Sequence, residues 1–340
     1  MSGSLTWAQA RQSPCSGCAA PCCTVLPLHD FAIQRLPDLD YAFYLLNFDR
    51  IELALLSDGR FRVHYHARCR NLDPETARCR VHGSPEQPVV CRKYDEHACF
   101  YRPIFSDAGL EQVVRLDRGR LEAWSAACRF DEHRNLVARP PHAGLLERLP
   151  ALTPPMALDA APIPPAPGLE AWRALARGGA PPATDVRTWE QLQAPCAGCA
   201  AWCCSRLTFP HDTPVNASQL DHIRFCLGFP GVEATVDADG RWTIDVRTRC
   251  RHLVEDGAGQ RRCGVYGQPE RPSQCVRFDA LSCAYRGRYA GPRPAGLLRV
   301  DAAAFAAVAG CFAFDGGGMI VERPGLAALT EAAEAAWAAG

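Results

Sequence analysis

Two stretches of the chain alternate apolar and polar residues in the manner of half-buried β-strands. In RFRVHYH the apolar positions are Phe61, Val63 and Tyr65, and the apolar run ELALL precedes it across the turn SDG. In RWTIDV they include Trp242 and Ile244, and VEATV precedes it across DADG. An Asp-Gly turn between two such runs predicts a β-hairpin. Each hairpin leads to a cysteine.

Longer apolar stretches around the hairpins predict helices. LDYAFYLLNF and LDHIRFCLGF precede the two hairpins, and RLEAWSAACRF and AAAFAAVAGCF lie near the end of each half. A further helix is expected after VARP and after VERP. Short helices together with hairpins predict an α+β fold class.

The chain repeats itself, and the cysteines carry the repeat. The first five cysteines of one half recur in the other at an offset of 181 residues, the next three at 184 and the last at 183. Chance does not preserve so many registers while the surrounding sequence diverges. The pairs are Cys15 with Cys196, Cys18 with Cys199, Cys22 with Cys203, Cys23 with Cys204, Cys69 with Cys250, Cys79 with Cys263, Cys91 with Cys275, Cys99 with Cys283 and Cys128 with Cys311.

One of the 19 cysteines stands outside the repeat. Cys226, in LDHIRFCLGF, has Leu45 as its counterpart in LDYAFYLLNF. A thiol that replaces a leucine is expected to be a small buried hydrophobe.

A Pro/Ala-rich segment joins the two copies. It begins PALTPPMALDAAPIPPAPG, which predicts a semi-extended linker, and EAWRALAR at 170–177 predicts a short helix within it. We therefore expect a first domain over residues 1–149, a linker over 150–187 and a second, homologous domain over 188–340.

Composition narrows the class of protein. With 48% hydrophobic and 22% charged residues the chain has the composition of a globular protein, and its formal net charge of zero lacks the basic excess of nucleic-acid binders. The longest apolar run, at 302–314, is shorter than the roughly 20 residues that span a bilayer. No secretory leader is recognisable at the start. We expect a cytoplasmic protein without a membrane or nucleic-acid partner.

Three kinds of chemistry suit clustered thiols. Disulfide frameworks are typical of small exported domains, which this chain does not resemble. A catalytic cysteine needs a nearby base, but the histidines do not repeat with the cysteines: His82 stands where the second copy has Tyr266. Metal binding is the interpretation that the repeat favours, since zinc and iron–sulfur sites take about four thiolates.

The predicted metal ligands form two groups in each copy. A helix starting at Pro14 or Pro195 would place the first four cysteines on one face, while a loop knuckle suits the first two equally well. Eight thiols per copy suit two four-thiolate sites, one dinuclear cluster, or one site with thiols left over. The candidate ligands are Cys15, Cys18, Cys22, Cys23, Cys69, Cys79, Cys91 and Cys99, with Cys196, Cys199, Cys203, Cys204, Cys250, Cys263, Cys275 and Cys283.

Arginines flank the downstream cysteines, as in Arg68-Cys69-Arg70 and Arg249-Cys250-Arg251. Neighbouring cations are expected to lower thiol pKa values and offset the charge of a thiolate cluster. Exposed arginines at strand edges are the alternative. For Cys128 and Cys311, in apolar helical stretches, we expect buried thiols rather than a ninth ligand.

The pattern C-x2-C-x3-C-C, followed by CRNL or CRHL and then by CGVYGQPERPSQC, resembles the CxxCxxCC (YkgJ-type) family of zinc- or iron-chelating cysteine-cluster domains. The resemblance implies two tandem metal-binding domains whose cofactor is zinc, iron or an iron–sulfur cluster. The cluster is also similar to that of flagellin lysine N-methylases, which implies an iron–sulfur or methyl-transfer enzyme as the alternative function. His82 becomes an additional candidate ligand in the first copy.

Overall fold

The computed structural model describes residues 20–94, 99, 101, 113–153, 162–180, 201–255, 261–278, 283, 285 and 293–340. The chain divides into two compact units. The first unit draws its described residues from Met1–Gln87, Cys91–Pro162 and Glu270–Arg277, and the second from Pro88–Val90, Ile163–Pro269 and Phe278–Gly340.

A four-stranded antiparallel sheet forms the centre of the first unit. Its strands are β1 (Val25–Ala32), β2 (Ile51–Leu56), β3 (Arg60–His66) and β4 (Val113–Leu116), in the order β1-β3-β2-β4. The predicted hairpin of β2 and β3 is confirmed, with Leu53 opposite Val63. Gly59 adopts a φ of 84° in the turn, a conformation that side chains with a Cβ rarely take.

Short helices accompany this sheet. They are a 3-10 turn at Pro21–Cys23, α1 (Leu36–Leu45), α2 (Val89–Arg92), α3 (Arg118–Ala126) and α4 (Leu145–Arg148), and the small strands β5 (Arg129–Phe130) and β6 (Leu136–Ala138) pair with each other.

Capping and burial explain where the longer helices lie. The Asp38 carboxylate accepts the backbone N–H of Arg35 at 2.8 Å and so satisfies a donor at the start of α1. Asp117 does the same for α3, accepting from the N–H of Arg120 at 2.8 Å. The buried Trp124 of α3 then packs edge-on against Phe61 of β3, with ring centres 5.1 Å apart.

The second unit has the same strand order. Its main sheet runs β7-β9-β8-β12, which matches β1-β3-β2-β4 strand for strand. The predicted second hairpin, β8 with β9, is confirmed. The elements of this part of the chain are α5 (Pro167–Ala176), a 3-10 turn at Trp202–Cys204, β7 (Arg206–His211), α6 (Ala217–Leu227), β8 (Val232–Asp237), β9 (Trp242–Arg247), β10 (Leu253–Glu255), β11 (Arg261–Cys263), α7 (Ser273–Val276), β12 (Leu297–Val300), α8 (Phe305–Gly310), β13 (Ala313–Phe314), β14 (Ile320–Glu322) and α9 (Leu326–Ala339). Helices and antiparallel sheets together make this an α+β protein.

The helix expected within the linker is α5, and it packs against α9 in the second unit. The buried Trp172 meets Trp337 with ring centres 5.6 Å apart, and its indole N–H donates to the Glu334 carboxylate at 2.7 Å. Arg177 adds a hydrogen bond to the carbonyl oxygen of Trp337 at 3.0 Å. The linker segment therefore contributes a buried tryptophan, Trp172, to the core of the second unit, where it packs against Trp337.

Each unit includes a short segment from the other sequence repeat. In the first unit, Ser273 donates its backbone N–H to the Asp40 carboxylate of α1 at 3.1 Å. In the second unit, the backbone N–H of Val89 donates to the Asp221 carboxylate of α6. Asp40 and Asp221 are equivalent in the repeat, so the same carboxylate holds the same kind of segment in both units.

Buried ion pairs join strands within both sheets. Arg115 of β4 binds Glu52 of β2 through two hydrogen bonds of 2.6 and 2.7 Å, and His66 lies 3.5 Å from the same carboxylate. Glu233, at the position equivalent to Glu52, accepts from Arg299 at 2.6 Å. Burial, the largest influence, would raise the pKa of Glu52 and of Glu233. The surrounding hydrogen bonds and positive charges together outweigh it and lower each pKa to about 2.

In the parts of the chain that the structure describes, no helix is both long enough and apolar enough to cross a membrane.

Candidate metal centre

The two adjacent cysteines of each repeat lie on a 3-10 turn that enters the first strand of the sheet. Cys22 and Cys23 belong to the turn Pro21–Cys23, and their sulfur atoms are 4.0 Å apart. Cys203 and Cys204 belong to the turn Trp202–Cys204, with sulfur atoms 3.8 Å apart. Both copies therefore present a close pair of thiols at one end of the sheet.

An unusual backbone conformation precedes both turns. Ala20 has a φ of 52° and Ala201 a φ of 55°, values in the left-handed region that residues with a Cβ disfavour. A left-handed residue cannot continue a right-handed helix. A helix that carries Cys22 and Cys23, one of the two predicted arrangements, is thus wrong for the described part of this motif. Cys15, Cys18, Cys196 and Cys199 lie outside the described residues.

A hydrogen bond attaches the fifth cysteine of each repeat to the adjacent pair. The chain leaves β3 and reaches Cys69, whose backbone N–H donates to the carbonyl oxygen of Cys23 at 2.7 Å. Cys250 follows β9 and donates to Cys204 at the same distance. The end of each predicted hairpin is thereby brought to the cysteine turn, although 46 residues separate the two cysteines in each copy.

The sixth cysteine returns beside the fifth. Cys79 forms an isolated antiparallel bridge with Leu72, and Cys263 pairs with Leu253 in the hairpin of β10 and β11. The three extra residues of the second copy lie within the connection between β10 and β11, part of which is outside the described residues.

Thiol pKa values show that these sulfur atoms are close enough to influence one another. Burial raises the pKa of Cys69, and negative charge on Cys79 or Cys22 raises it further. The pKa of Cys204 is raised first by its hydrogen bond with Cys203, then by burial and by charge on Cys203, Cys250 and Cys263. Several thiolates can therefore coexist here only if a positive charge compensates them.

The neighbouring arginines do not supply that compensation. Arg70 lowers the pKa of Cys69, but burial has the larger effect and the net direction is upward. Cys250 behaves in the same way: burial outweighs the effect of Arg251, and its pKa is about 11. The flanking cations Arg70 and Arg251 thus act in the expected direction on these two thiols, but burial outweighs them and the net pKa of each is raised.

A second pair of cysteines in the first unit lies beside two tyrosines. Cys99 is buried together with Tyr101 and Val25, and Cys22 packs against this group. The Tyr94 hydroxyl donates to the Cys99 sulfur at 3.2 Å. Burial raises the pKa of Tyr101, and negative charge on Cys22 and Cys91 among others adds to the effect.

Cys22 therefore packs against the group that contains Cys99 and also lies close enough to Cys69 to influence its pKa. Sequence reasoning did not identify Tyr94 and Tyr101 as neighbours of the sulfur atoms. The sequence signal available for this contact was the position of the two tyrosines, five residues before and two residues after Cys99.

The last two candidate ligands of the second repeat fall in different units. Cys275 lies on α7, which belongs to the first unit, and Cys283 is half-buried in the second unit. In the first repeat the exposed side chain of His82 follows Cys79.

The three cysteines outside the candidate ligand set are half-buried or buried. Cys128 and Cys311 are half-buried just beyond the ends of α3 and α8, and their sulfur atoms lie 3.5 Å from the carbonyl oxygens of Trp124 and Ala307. Burial raises the pKa of Cys128 to about 11. Cys226 is only 2% exposed, and burial raises its pKa to about 12, as expected for a thiol that takes the place of a leucine.

The chemistry of this donor set fits zinc or iron. Two thiolates that share a tetrahedral ion at about 2.3 Å from each sulfur are about 3.8 Å apart, and the adjacent pairs are 4.0 and 3.8 Å apart. No disulfide joins two of the described cysteines. Counting only described side chains, no three His, Cys, Asp or Glu residues are grouped so that they would hold a metal ion by themselves. That search does not include Cys15 and Cys18 of the first repeat or Cys196 and Cys199 of the second, because they lie outside the described residues.

A comparison with protein families agrees with this donor set. Residues 14–129 match the CxxCxxCC family, whose description reads "Putative zinc- or iron-chelating domain". The matched segment contains the eight candidate ligands of the first repeat and Cys128. Neither a curated protein nor a solved structure matches the chain.

Proposed function

We propose that the chain binds zinc or iron through its clustered cysteines, with one cluster in each repeat, and the match of residues 14–129 to the CxxCxxCC family supports this proposal. One observation carries the proposal: the close sulfur pair, Cys22 with Cys23, recurs as Cys203 with Cys204. In each copy the following hairpin is hydrogen-bonded to that pair.

The proposed ligands fall into an inner and an outer group. The inner group is the adjacent pair with the fifth and sixth cysteines, whose charges influence one another, completed by the two cysteines that precede the pair in sequence. The outer group, Cys91 and Cys99 in the first repeat, approaches Cys22 through Tyr101. In the second repeat, Cys275 and Cys283 stay candidate ligands on the strength of the sequence repeat alone and are assigned to no group.

A bound ion would supply positive charge to a site in which burial opposes thiolate formation. It would also cross-link segments that are distant in sequence, which stabilises a small unit beyond what its core provides. The chain's own contribution is to hold the sulfur atoms in place through the 3-10 turn and the hydrogen bond from Cys69 to Cys23. An ion bound by four of these thiolates would have no open position, so we propose a structural or metal-carrying role.

The experiment is anaerobic purification followed by measurement of metal content, acid-labile sulfide and the visible spectrum. Colourless protein with stoichiometric zinc supports chelation by thiolates alone. Iron with equimolar sulfide and a brown colour supports the alternative, an iron–sulfur protein such as a methyl-transfer enzyme. A folded protein that holds neither metal contradicts the proposal.

Matched variants locate the ligands. C69S and C250S are expected to lose metal from their own repeat, because each removes a sulfur atom next to the adjacent pair. C128S and C311S are the controls. Each removes a half-buried thiol that also occurs in both repeats but is not a proposed ligand, so metal content should be unchanged. Loss of metal from the control pair to the same extent would contradict the ligand assignment.

We also propose a cytoplasmic location, since thiols at this density persist in a reducing compartment.

A further inference from the structure

Two histidines face each other in the second unit, apart from the cysteine clusters. His211 is the last residue of β7, and His222 lies in the middle of α6. The Nε2 atom of His211 is 3.1 Å from the Nδ1 atom of His222, and the ring centres are 5.4 Å apart. Both side chains are partly exposed. Two partly exposed imidazole rings thus have one nitrogen of each within hydrogen-bonding distance of the other.

The surrounding hydrogen bonds fix which nitrogen of His211 carries its proton. His211 Nδ1 lies 2.8 Å from the carbonyl oxygen of Asp212. A carbonyl oxygen only accepts, so Nδ1 donates, and the Nε2 lone pair of the neutral ring accepts the Nδ1 proton of His222. A metal ion would take the place of that proton, and the neutral His222 ring would then carry its proton on Nε2. A backbone carbonyl that accepts from the second ring nitrogen is the usual support of a metal-binding histidine.

The elements that carry the two rings are held firmly at their junction. Asn216 caps α6, its side-chain oxygen accepting the N–H of Gln219 at 2.9 Å. The Gln219 side chain in turn accepts the N–H of Val215 at 2.7 Å. The loop from β7 to α6 is thereby fixed next to both histidines, so little order is lost when a ligand binds.

The separation of the nitrogens suits a shared metal ion. Imidazole nitrogens bind zinc at about 2.0–2.1 Å, so two that share an ion are about 3.3–3.4 Å apart at a tetrahedral angle and about 2.8–3.0 Å apart at an octahedral angle. The observed 3.1 Å lies between these two values, so a small adjustment of either ring reaches one of them.

The fold does not require the pair. At the equivalent positions the first repeat has Asp30 and Tyr41. There Asp30 binds Arg62 at 2.6 Å and Tyr41 packs edge-on against Phe31, so the same strand and helix meet without histidines.

We propose that His211 and His222 form a second kind of metal site, present only in the second repeat, that binds zinc or a similar divalent transition metal with water as the remaining ligands. Imidazole nitrogen is a preferred ligand for these ions. Cys226, whose sulfur is 3.9 Å from His222 Nδ1, is buried beneath the pair as a core thiol and is not a ligand. With two protein ligands the site binds zinc more weakly than a four-thiolate cluster, and exchangeably.

The test is equilibrium dialysis of the full chain, with its tight sites already filled, against a series of free zinc concentrations. The wild type is expected to take up one further, weakly held equivalent. H211Q and H222Q should each raise the zinc concentration at half occupancy at least tenfold, since each leaves one ligand. H133Q, which changes an exposed histidine of the first unit, is the matched control.

Unchanged weak binding in folded H211Q and H222Q would overturn the proposal and leave the pair as a hydrogen bond only. If either variant fails to fold, modification of wild-type histidines by diethyl pyrocarbonate decides: zinc should protect His211 and His222, and equal labelling with and without zinc overturns the proposal. Tightly bound equivalents are counted in the same experiment, so failure of the cysteine clusters is distinguished from failure of this site.

Discussion

The backbone N–H of Cys69 donates to the carbonyl oxygen of Cys23 at 2.7 Å. The hydrogen bond joins the end of the β2–β3 hairpin to the turn that carries two adjacent thiols, and Cys250 and Cys204 repeat it at 2.7 Å. The end of the hairpin and the cysteine turn are therefore attached to each other through the backbone. Stability and metal binding should be coupled through this contact.

Metal removal is the first prediction. A strong chelator should lower the melting temperature of the protein by at least about 10 °C, because a structural ion contributes several kcal/mol and each kcal/mol shifts the midpoint by about 2–4 °C in units of this size. Calorimetry with and without chelator measures the shift. Readdition of zinc or iron should restore it. An unchanged midpoint after complete metal removal would show that the ion is not structural.

The second prediction concerns the ion pair of Glu52 and Arg115. E52Q should reduce the free energy of unfolding by about 1.5–3 kcal/mol, because it removes the charge from a buried carboxylate that makes two hydrogen bonds to the half-buried guanidinium of Arg115. Urea titration monitored by tryptophan fluorescence measures the change. E122Q is the control, since Glu122 is exposed in its i, i+4 pair with Arg118 and should change stability by less than about 0.5 kcal/mol. Equal effects of the two variants would contradict the argument.

Acid should destabilise the protein through the same carboxylates. The pKa values of Glu52 and Glu233 are lowered from 4.5 to about 2 in the folded state. Because the folded pKa lies below the unfolded one, this stabilisation is complete above about pH 4.5 and is lost as the pH falls toward 2. Urea midpoints measured between these pH values should fall steeply for the wild type and less steeply for E52Q. Parallel slopes would contradict the prediction.

Cys226 should tolerate an apolar replacement better than a polar one. C226L, which restores the residue found at Leu45, is expected to change stability by less than about 1.5 kcal/mol, whereas C226S places a hydroxyl in an apolar core and should destabilise by about 1–3 kcal/mol. Thermal unfolding of both variants is the measurement. Metal content should stay at the wild-type value in each. A loss of metal from either would mean that Cys226 serves the cluster.

Helix α5 should stabilise the second unit although it lies in the linker segment. W172A removes a buried indole that contacts Trp337 and is expected to destabilise by about 3–5 kcal/mol. V321A truncates a side chain that is 64% exposed and serves as the control. If both variants unfold at the same denaturant concentration, packing of α5 does not stabilise the second unit and the prediction is wrong.

Local patterns made much of this fold predictable. The alternation around Val63 and Ile244 identified both hairpins, and the exchange of Leu45 for Cys226 identified a core position. Contacts between distant segments were not predictable. Arg115 binds Glu52 from 63 residues away, and Ser273 reaches Asp40 from 233 residues away. A charged residue within the apolar run IELALL was the one sign of a buried partner, and it does not say which arginine is that partner.

The candidate site divides in the same way. Spacing and repetition selected the cysteines, since thiolates at such intervals suit a tetrahedral ion. The turn at Cys22 and Cys23 was not predictable, because the left-handed conformation of Ala20 is imposed by the folded surroundings rather than preferred by alanine. The thiol pKa values depend on burial, which the flanking arginines did not indicate.

The left-handed alanines have a consequence for when the thiols become organised. Alanine disfavours that conformation by about 1–2 kcal/mol, so a short peptide copied from this stretch rarely adopts the bend. We therefore expect the two sulfur atoms to reach their observed separation together with formation of the sheet. The unfolded chain is therefore expected to bind metal through thiols that are not yet positioned, and the arrangement of the folded site forms only with the tertiary structure.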